Sequence, residues 1–338
     1  MSAAELFLKR LTHFESAARR LQRSFNLISN LRLLVVIAGI GAAVTAGYMG
    51  TVRQAVYAGL PFLLVFIYLV YRHRRVEKRL AAAQTMARIN QKYLNRLNGR
   101  WIEFSDQGGE FVQYDHPYSN DLDIFGPKSL FQWITTAQTA RGRQILQELL
   151  ANPSKDIDSI LTRQKAIQEL AKRLEFCQGL ECRGAQAPLR PRDYESLIAH
   201  AGERVNLGRI ISYTRFLPLF TVSAFILYFL QWITIQVPVI LLLLQTFIVL
   251  VTIKKAGEPL NQIYIFKKNL HSYRDMLELI EAEPFRDQYL SRLRAKLASP
   301  GRSASAAMKE LEKISNAIDF RYSMFYLFIN IGLLWDIQ

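Results

Sequence analysis

The stretch Leu33–Arg75, LLVVIAGIGAAVTAGYMGTVRQAVYAGLPFLLVFIYLVYRHRR, decides how the rest of the chain is read. It holds two apolar runs, Leu33 to Met49 and Val56 to Tyr71, joined by the tip Gly50-Thr51-Val52-Arg53-Gln54. Each run is close to the ~20 residues that an α-helix needs to cross a bilayer. Ala, Gly and Thr recur in the first, which allows close helix contact inside lipid. Arg32 precedes the pair and Arg72, Arg74 and Arg75 follow it, whereas the tip carries only Arg53. Basic residues gather on the cytoplasmic side of membrane helices, so the pattern predicts a transmembrane hairpin with both ends in the cytoplasm.

A second pair of runs, Phe216 to Ile235 and Val237 to Ile253, repeats the pattern. Arg209 and Arg215 stand before it, Lys254 and Lys255 after it, and the tip near Gln236-Val237-Pro238 is uncharged. The same rule gives the same orientation. The expectation is an integral membrane protein with four transmembrane helices, its N- and C-termini and polar parts cytoplasmic. Met324 to Trp335 is too short for a fifth span and contains Asn330, so it reads as a buried core helix. The expected spans hold no Asp, Glu or Lys, which argues against a transporter or an intramembrane enzyme.

Composition agrees. Half of the 338 residues are hydrophobic while 21% are charged, so the two kinds must be segregated along the chain. The net charge of +15, from 43 Lys plus Arg against 28 Asp plus Glu, fits three partners: anionic lipid headgroups, nucleic acid, or simply positive-inside topology. Cys177 and Cys182 are the only cysteines. That excludes a disulfide scaffold, and a pair at this spacing without a nearby His is a poor metal site. Two unpaired thiols in a reducing cytosol are expected. No apolar run precedes Leu33, so no cleavable signal peptide is expected.

The flanks of the first hairpin carry helical periodicity. Phe7, Leu11, Phe14, Ala18, Leu21, Phe25 and Ile28 alternate steps of four and three, as do Leu80, Ala83, Ala87, Asn90, Leu94, Leu97 and Trp101. Each membrane helix is therefore expected to continue into the cytosol, where the two pair as an antiparallel coiled coil. Asn90 at a core position would set the register. Lys9, Arg10, Arg19, Arg20 and Arg23 lie on the other faces, either as a lipid- or nucleic-acid-binding surface or as a solvated helix face.

Residues 101–120 change character. Gly108-Gly109 between aromatic-rich runs predicts a small hairpin or an ordered loop, and His116 reads as a structural loop histidine without a second ligand or nucleophile nearby. Beyond it, Pro127 to Ile134 reads as a helix starting at the Gly126-Pro127 turn. Thr139 can cap a second helix that stops at Asn152-Pro153. Ser154 or Asp156 can cap a third, with Ile160, Leu161, Ala166, Ile167, Leu170 and Leu174 inward. Gly126-Pro127-Lys128-Ser129 is not a phosphate-binding loop, since Asp121 stands where that motif needs its first Gly and Pro127 splits the Gly-Lys pair. Beyond Gly257-Glu258-Pro259 a further long helix carries Ile263, Phe266, Leu270, Tyr273, Leu277 and Ile280. A shorter one carries Tyr289, Leu290, Leu293 and Leu297, and another begins at Ser303.

These elements in order resemble the core (lever) domain of the MutS family. The residues that carry the resemblance are Asp121-Leu122-Asp123, Ser129-Leu130-Phe131, Thr139 with Gly142, the helix end at Pro153, and Ile160 with Arg163. They cover about 50 residues, and the later helices are compatible with the family's lever helices. More narrowly, the chain is similar to membrane-associated MutS-like proteins. The family's mismatch-reading and connector domains have no counterpart before this block, and no G-x-x-x-x-G-K-[ST] loop occurs in the 338 residues. What the resemblance implies is a non-catalytic core module of a DNA-mismatch-repair-related ATPase, with the ATPase domain supplied in cis or in trans. ATP and Mg would then enter only through that domain. Duplex DNA and a homodimer are its implied partners, alongside a bilayer with anionic headgroups.

The expected fold is thus mainly all-α. It has two transmembrane helical hairpins with long coiled-coil-like extensions plus a MutS-core-like helical domain. Expected boundaries are 1–100 for the first hairpin and its helices, 101–208 for the helical domain, 209–255 for the second hairpin, and 256–338 for lever-like helices. A membrane scaffold or protein-interaction module without nucleic-acid binding is the second reading. No catalytic set is legible: Asp121 with Asp123 and Glu281 with Glu283 are close carboxylate pairs, the first placed at a turn and the second at a helix end.

Overall fold

A computed structural model of the chain describes residues 2–50, 52–187, 217–299 and 301–321. Helices supply nearly all of its regular structure, as the sequence predicts. Among the described residues the strands amount to one two-residue ladder, Ala298–Ser299 with Arg302–Ser303. The chain divides into two compact units, one of Met1–Gln138 with Gly142–Ala185, the other of Thr139–Arg141 with Gln186–Gln338. The first hairpin and the helical domain after it share a core.

The first unit is built on α1 (Ala3–Met49) and α2 (Val52–Leu97), which pack against each other along their length. At its start α1 is held by a capping box: Glu5 N–H donates to Ser2 Oγ at 3.2 Å and Ser2 N–H to the Glu5 carboxylate at 2.9 Å. The pairing is antiparallel and in constant register. Phe7 stacks on Tyr93 with centroids 4.9 Å apart, Phe25 lies 4.3 Å from His73, and Arg32 sits over Phe66. Gly39 then meets Phe62, and Gly59 meets Ala43. Each step forward on α1 is matched by a similar step back on α2. Leu11, Ile28, Leu69, Leu80, Ala83 and Leu94 are buried in the seam, so the heptad reading holds. It holds up to Leu94. Leu97, expected inward, is 52% exposed because α2 ends there and Gly99 turns the chain away with φ 76°.

Among the described residues two helices, α1 and α2, are long and apolar enough to cross a membrane. A core helix of a soluble protein passes the same test of length and hydropathy but is buried, whereas 6% of each apolar window is buried here. Leu33, Leu34, Ile37, Ile40 and Val44 on α1, with Leu63, Leu64 and Ile67 on α2, are exposed. Apolar side chains displayed on all outer faces suit a hydrocarbon environment.

The chain leaves α2 through 3₁₀ turns at Arg100–Glu103 and Gly109–Phe111, then enters α3 (Leu130–Ile134), α4 (Ala140–Ala151), α5 (Ile157–Ala171) and α6 (Leu174–Gly184). Gly108-Gly109 forms the ordered loop rather than a hairpin of strands. The helix expected from Pro127 starts only at Leu130, because Gly126 and Lys128 adopt φ 98° and 58° and Ser129 is its cap, accepting from Gln132 N–H. Helix α4 begins directly after Thr139 and ends before Asn152-Pro153, and Asp156 caps α5 through Ser159 N–H at 3.0 Å, as expected. The inward face assigned to α5 does not hold. Ala166 is buried, but Ile160, Leu161 and Ile167 are exposed, α5 meeting α6 through a narrow strip.

In the second unit, α7 (Leu217–Phe229) packs on α8 (Gln236–Ala282), and α8 on α10 (Ala304–Arg321); α9 (Gln288–Ala295) lies between α8 and α10 in sequence. Two expectations change. The first run of the second pair was placed at 216–235, but α7 spans 13 residues, roughly 20 Å of helix, and the tip begins at Leu230. The break expected at Gly257-Glu258-Pro259 is absent, so the apolar run and the long helix after it are one helix of 47 residues. Asp287 caps α9 through the N–H groups of Tyr289 and Leu290. The segment 324–335, Arg209 and Arg215 lie outside the described residues, as do the side chains of Lys254 and Lys255.

Candidate functional site

Polar side chains gather where α6 crosses the end of the hairpin away from its apolar belt. Periodicity explains why α6 meets α2 there: Leu174, Gln178, Glu181 and Cys182 fall on one face of an 11-residue helix. Phe176 and Cys182 are buried, yet Gln178 and Glu181 share that buried surface and need partners.

They find them on both arms of the hairpin. Gln178 Nε2 donates to Asn90 Oδ1 at 3.0 Å, and Arg10 Nε donates to Gln178 Oε1 at 3.0 Å. Asn90 and Gln178 are both fully buried. Asn90 Nδ2 donates to Met86 O at 2.8 Å, so its donor is also used. Arg10 further pairs with Glu175 at 3.7 Å. One amide pair therefore ties α1, α2 and α6 together. Asn90 was expected to set the register of two helices; its partner stands on a third.

One turn further along α6, Glu181 accepts from Tyr93 Oη at 3.4 Å and from Gln138 Nε2 at 3.3 Å. Burial raises the Glu181 carboxyl above the usual range, against the opposing pull of Arg96 and Lys92. Burial, with the neighbouring Glu181 carboxylate, also pushes the Tyr93 phenol up. Arg96 is drawn down by burial and reaches past this cluster to donate to Trp133 O at 2.9 Å and Thr135 O at 2.6 Å. Its guanidinium lies 5.3 Å from the rings of Tyr93 and of Phe104. The end of α2 is thereby fastened to the segment after α3. Cys182 Sγ faces Ala82 O at 3.7 Å, and burial raises its thiol, the opposite of what a reactive thiolate needs. Cys177 and Cys182 form no disulfide.

The loop between α2 and α3 is organised by Gln132, a fully buried side chain that accepts from Lys128 N–H at 2.7 Å and donates to Ile102 O and Phe104 O at 3.1 and 2.6 Å. Phe131, fully buried, packs against Phe111 and Phe125, and a side chain at Gly108 would stand 2.7 Å from its ring. Arg143 of α4 bridges to Asp106 at 2.7 Å and to Glu110, lying over Phe111 and Phe131. His116 is the structural residue expected: Nδ1 accepts from Ser119 N–H at 3.2 Å and Nε2 faces Ala151 O at 3.2 Å.

The residues singled out by sequence divide accordingly. Ser129, Leu130 and Phe131 stand together at the start of α3, and Asp123, with φ 48°, closes the turn before it by accepting from Leu130 N–H. Asp121, Leu122, Pro153, Ile160 and Arg163 are exposed. Thr139 opens α4, and Gly142 follows in its first turn. Arg72, Arg74 and Arg75 are exposed and follow the apolar part of α2, whereas Arg32 is half-buried against Phe66. Gln178, Glu181, Tyr93, Arg96 and Gln132 were missed. The first two carried a signal, since polar residues at i and i+3 interrupt the apolar face of α6.

What this arrangement does chemically is hold. Side-chain hydrogen bonds join three helices, and among the described residues no group of three or more His, Cys, Asp or Glu is placed to hold a metal ion. Compared with known proteins, the chain matches no family model, no curated protein and no solved structure.

Proposed function

We propose that the chain is a membrane-anchored lever module of the MutS-like kind, non-catalytic in itself. It would couple an ATPase domain, in cis or in trans, to duplex DNA on the cytoplasmic face. One observation carries the reading: α1 and α2 each run unbroken from the exposed apolar belt to the polar clamp on α6. Each is about 70 Å long at 1.5 Å per residue, so a displacement at the clamp is delivered to the bilayer end by a stiff pair of rods. Four spans complete the anchor, with α7 and the apolar start of α8 as the second hairpin. The ordered residues from Asp121 to Arg163 support the MutS-like assignment, and the net charge of +15 supports a polyanionic partner.

Two measurements test this. Alkaline extraction of membranes carrying the full chain leaves it in the pellet; release into the supernatant overturns the anchor. Detergent-solubilised chain binds duplex DNA at low salt, with affinity falling linearly in log–log against salt concentration; no binding at low salt overturns the DNA part.

A second reading, a membrane scaffold without nucleic acid, is favoured by a separate feature. Ile157, Leu161 and Ile167 leave an apolar strip of α5 exposed at 70%, 49% and 57%, which suits a protein partner rather than DNA. DNA binding absent while the chain remains membrane-embedded selects this reading.

A further inference from the structure

The constant register of α1 against α2 places one cation in an unusual position. Arg32 precedes the first apolar run in sequence, so it would be expected at the same depth as the arginines that follow the second run. Instead its guanidinium lies 5.5 Å from the centroid of Phe66. Phe66 is five residues inside the end of its run at Tyr71, about 7.5 Å of helix rise. Leu31, Leu33, Leu34, Leu63 and Ile67 around it are exposed apolar side chains. Arg32 Nε is buried and has no hydrogen-bond partner.

A guanidinium donor without an acceptor is costly wherever water is scarce, and this one lies in the apolar belt. Three of its features select an occupant. A planar guanidinium matches the oxygens of a phosphate group better than any neutral acceptor. Towards the clamp, Arg72, Arg74 and Arg75 with Lys78 and Arg79 on α2, and Arg19, Arg20 and Arg23 on α1, are exposed cations; Glu77 is the one acid within 72–79. His73, on the same collar, lies tilted against Phe25 and keeps Nδ1 buried without a partner. A zwitterionic lipid offers a phosphate but adds an ammonium that this collar repels. A lipid with net negative charge fits both.

We propose that Arg32 binds the phosphate of an anionic phospholipid of the cytoplasmic leaflet, drawn inward beside Phe66, while the exposed collar of Arg72, Arg74 and Arg75 supplies the positive field that favours a lipid of net negative charge. The inference rests on the membrane anchoring argued above. Resistance to alkaline extraction tests that anchoring alone, so the two can fail separately.

The test uses the full chain, purified in a neutral detergent and melted while phosphatidylglycerol, phosphatidylcholine, inorganic phosphate or duplex DNA is titrated. Phosphatidylglycerol raises the melting temperature saturably and phosphatidylcholine does not. Arg32→Gln weakens the apparent affinity roughly fivefold, as does loss of one collar charge, following the energy of one basic residue at an anionic surface. Arg32→Lys restores only part of it, because the ammonium lacks the fork. Circular dichroism reports whether each variant is folded; should Arg32→Gln not fold, the exposed pair Arg72→Gln with Arg74→Gln carries the test. Equal shifts from both lipids, or phosphatidylglycerol binding unchanged in the variants, overturns the proposal. A shift from inorganic phosphate matching that of the lipid identifies a free-phosphate site and also overturns it, as does a shift from duplex DNA with phosphatidylglycerol silent.

Discussion

Gln178 donates its side-chain amide to Asn90 at 3.0 Å, and neither residue retains any exposure to solvent. The bond joins α6 to α2 across 88 residues of sequence, and through Arg10 it reaches α1 as well. Buried amides are tolerable only when matched, so this pair specifies one seating of α6 on the hairpin where an apolar seam would permit several.

Removing one partner leaves the other unsatisfied. Asn90→Ala is expected to cost about 1–3 kcal/mol of stability, the typical desolvation penalty of an orphaned buried group. Asn90→Leu combined with Gln178→Leu recovers part of that loss, because both amides leave together while Arg10 gives up its bond to Gln178 and keeps Glu175. Thermal or denaturant melting of the two variants checks the order; an undisturbed single variant would show that the amide pair bears no weight.

Glu181 makes stability depend on pH in a defined direction. Its folded-state pKa lies above its unfolded value, chiefly through burial, so the folded chain binds the proton more tightly. From the ordinary carboxyl value of about 4.3 upward to the raised value, its contribution to stability therefore falls as pH rises, and the loss is complete above that window. Glu181→Gln keeps the hydrogen-bonding shape towards Tyr93 and Gln138 without the charge. The variant is expected to melt higher than the parent at neutral pH and to converge with it in acid. Melting temperatures measured across the window reveal this as a difference between the two chains.

Gly39 and Gly41 form a matched pair for the helix contact inside the apolar belt. A Cβ at Gly39 would stand 2.8 Å from Phe62 Cβ, while one at Gly41 meets nothing within 4 Å. Gly39→Ala should loosen the hairpin by about 1–3 kcal/mol through overpacking, and Gly41→Ala should be neutral. Disulfide trapping between cysteines placed at Ala43 and Gly59, which face each other, reads the separation directly; equal trapping in both variants contradicts the packing.

Gly108 combines two constraints. Its φ is 66°, and a side chain there would meet the Phe131 ring at 2.7 Å. Gly108→Ala is expected to cost about 1–3 kcal/mol and to release the loop before α3. Limited proteolysis between residues 104 and 130 provides the readout, with faster cleavage than in the parent and an unchanged hairpin fragment.

Much of the architecture was legible because it depends on local periodicity. The seam residues Leu11, Ile28, Leu80 and Ala83, the cap at Asp156 and the end of α4 before Asn152-Pro153 all follow from spacing and from what Ser, Asp and Pro do to a backbone. The candidate site was legible only in fragments. Asn90 was visible as a polar residue in an apolar stripe, but its partner on α6 was not, since nothing local indicates which of many buried polar groups a distant amide will find.

By itself, then, the amino-acid sequence determined the helical class, the two long arms and the apolar belt on them, because hydrophobic period and length are properties of consecutive residues. Tertiary structure alone decided the register. It set Arg32 against Phe66 rather than level with Arg72, closed Gln178 on Asn90, turned the apolar side of α5 outward, and carried α8 through Gly257 and Pro259 without a break. These outcomes depend on which surfaces compete for the same partner. That competition is settled by packing between segments far apart in the chain, where the cost of an unmatched polar group outweighs any local preference.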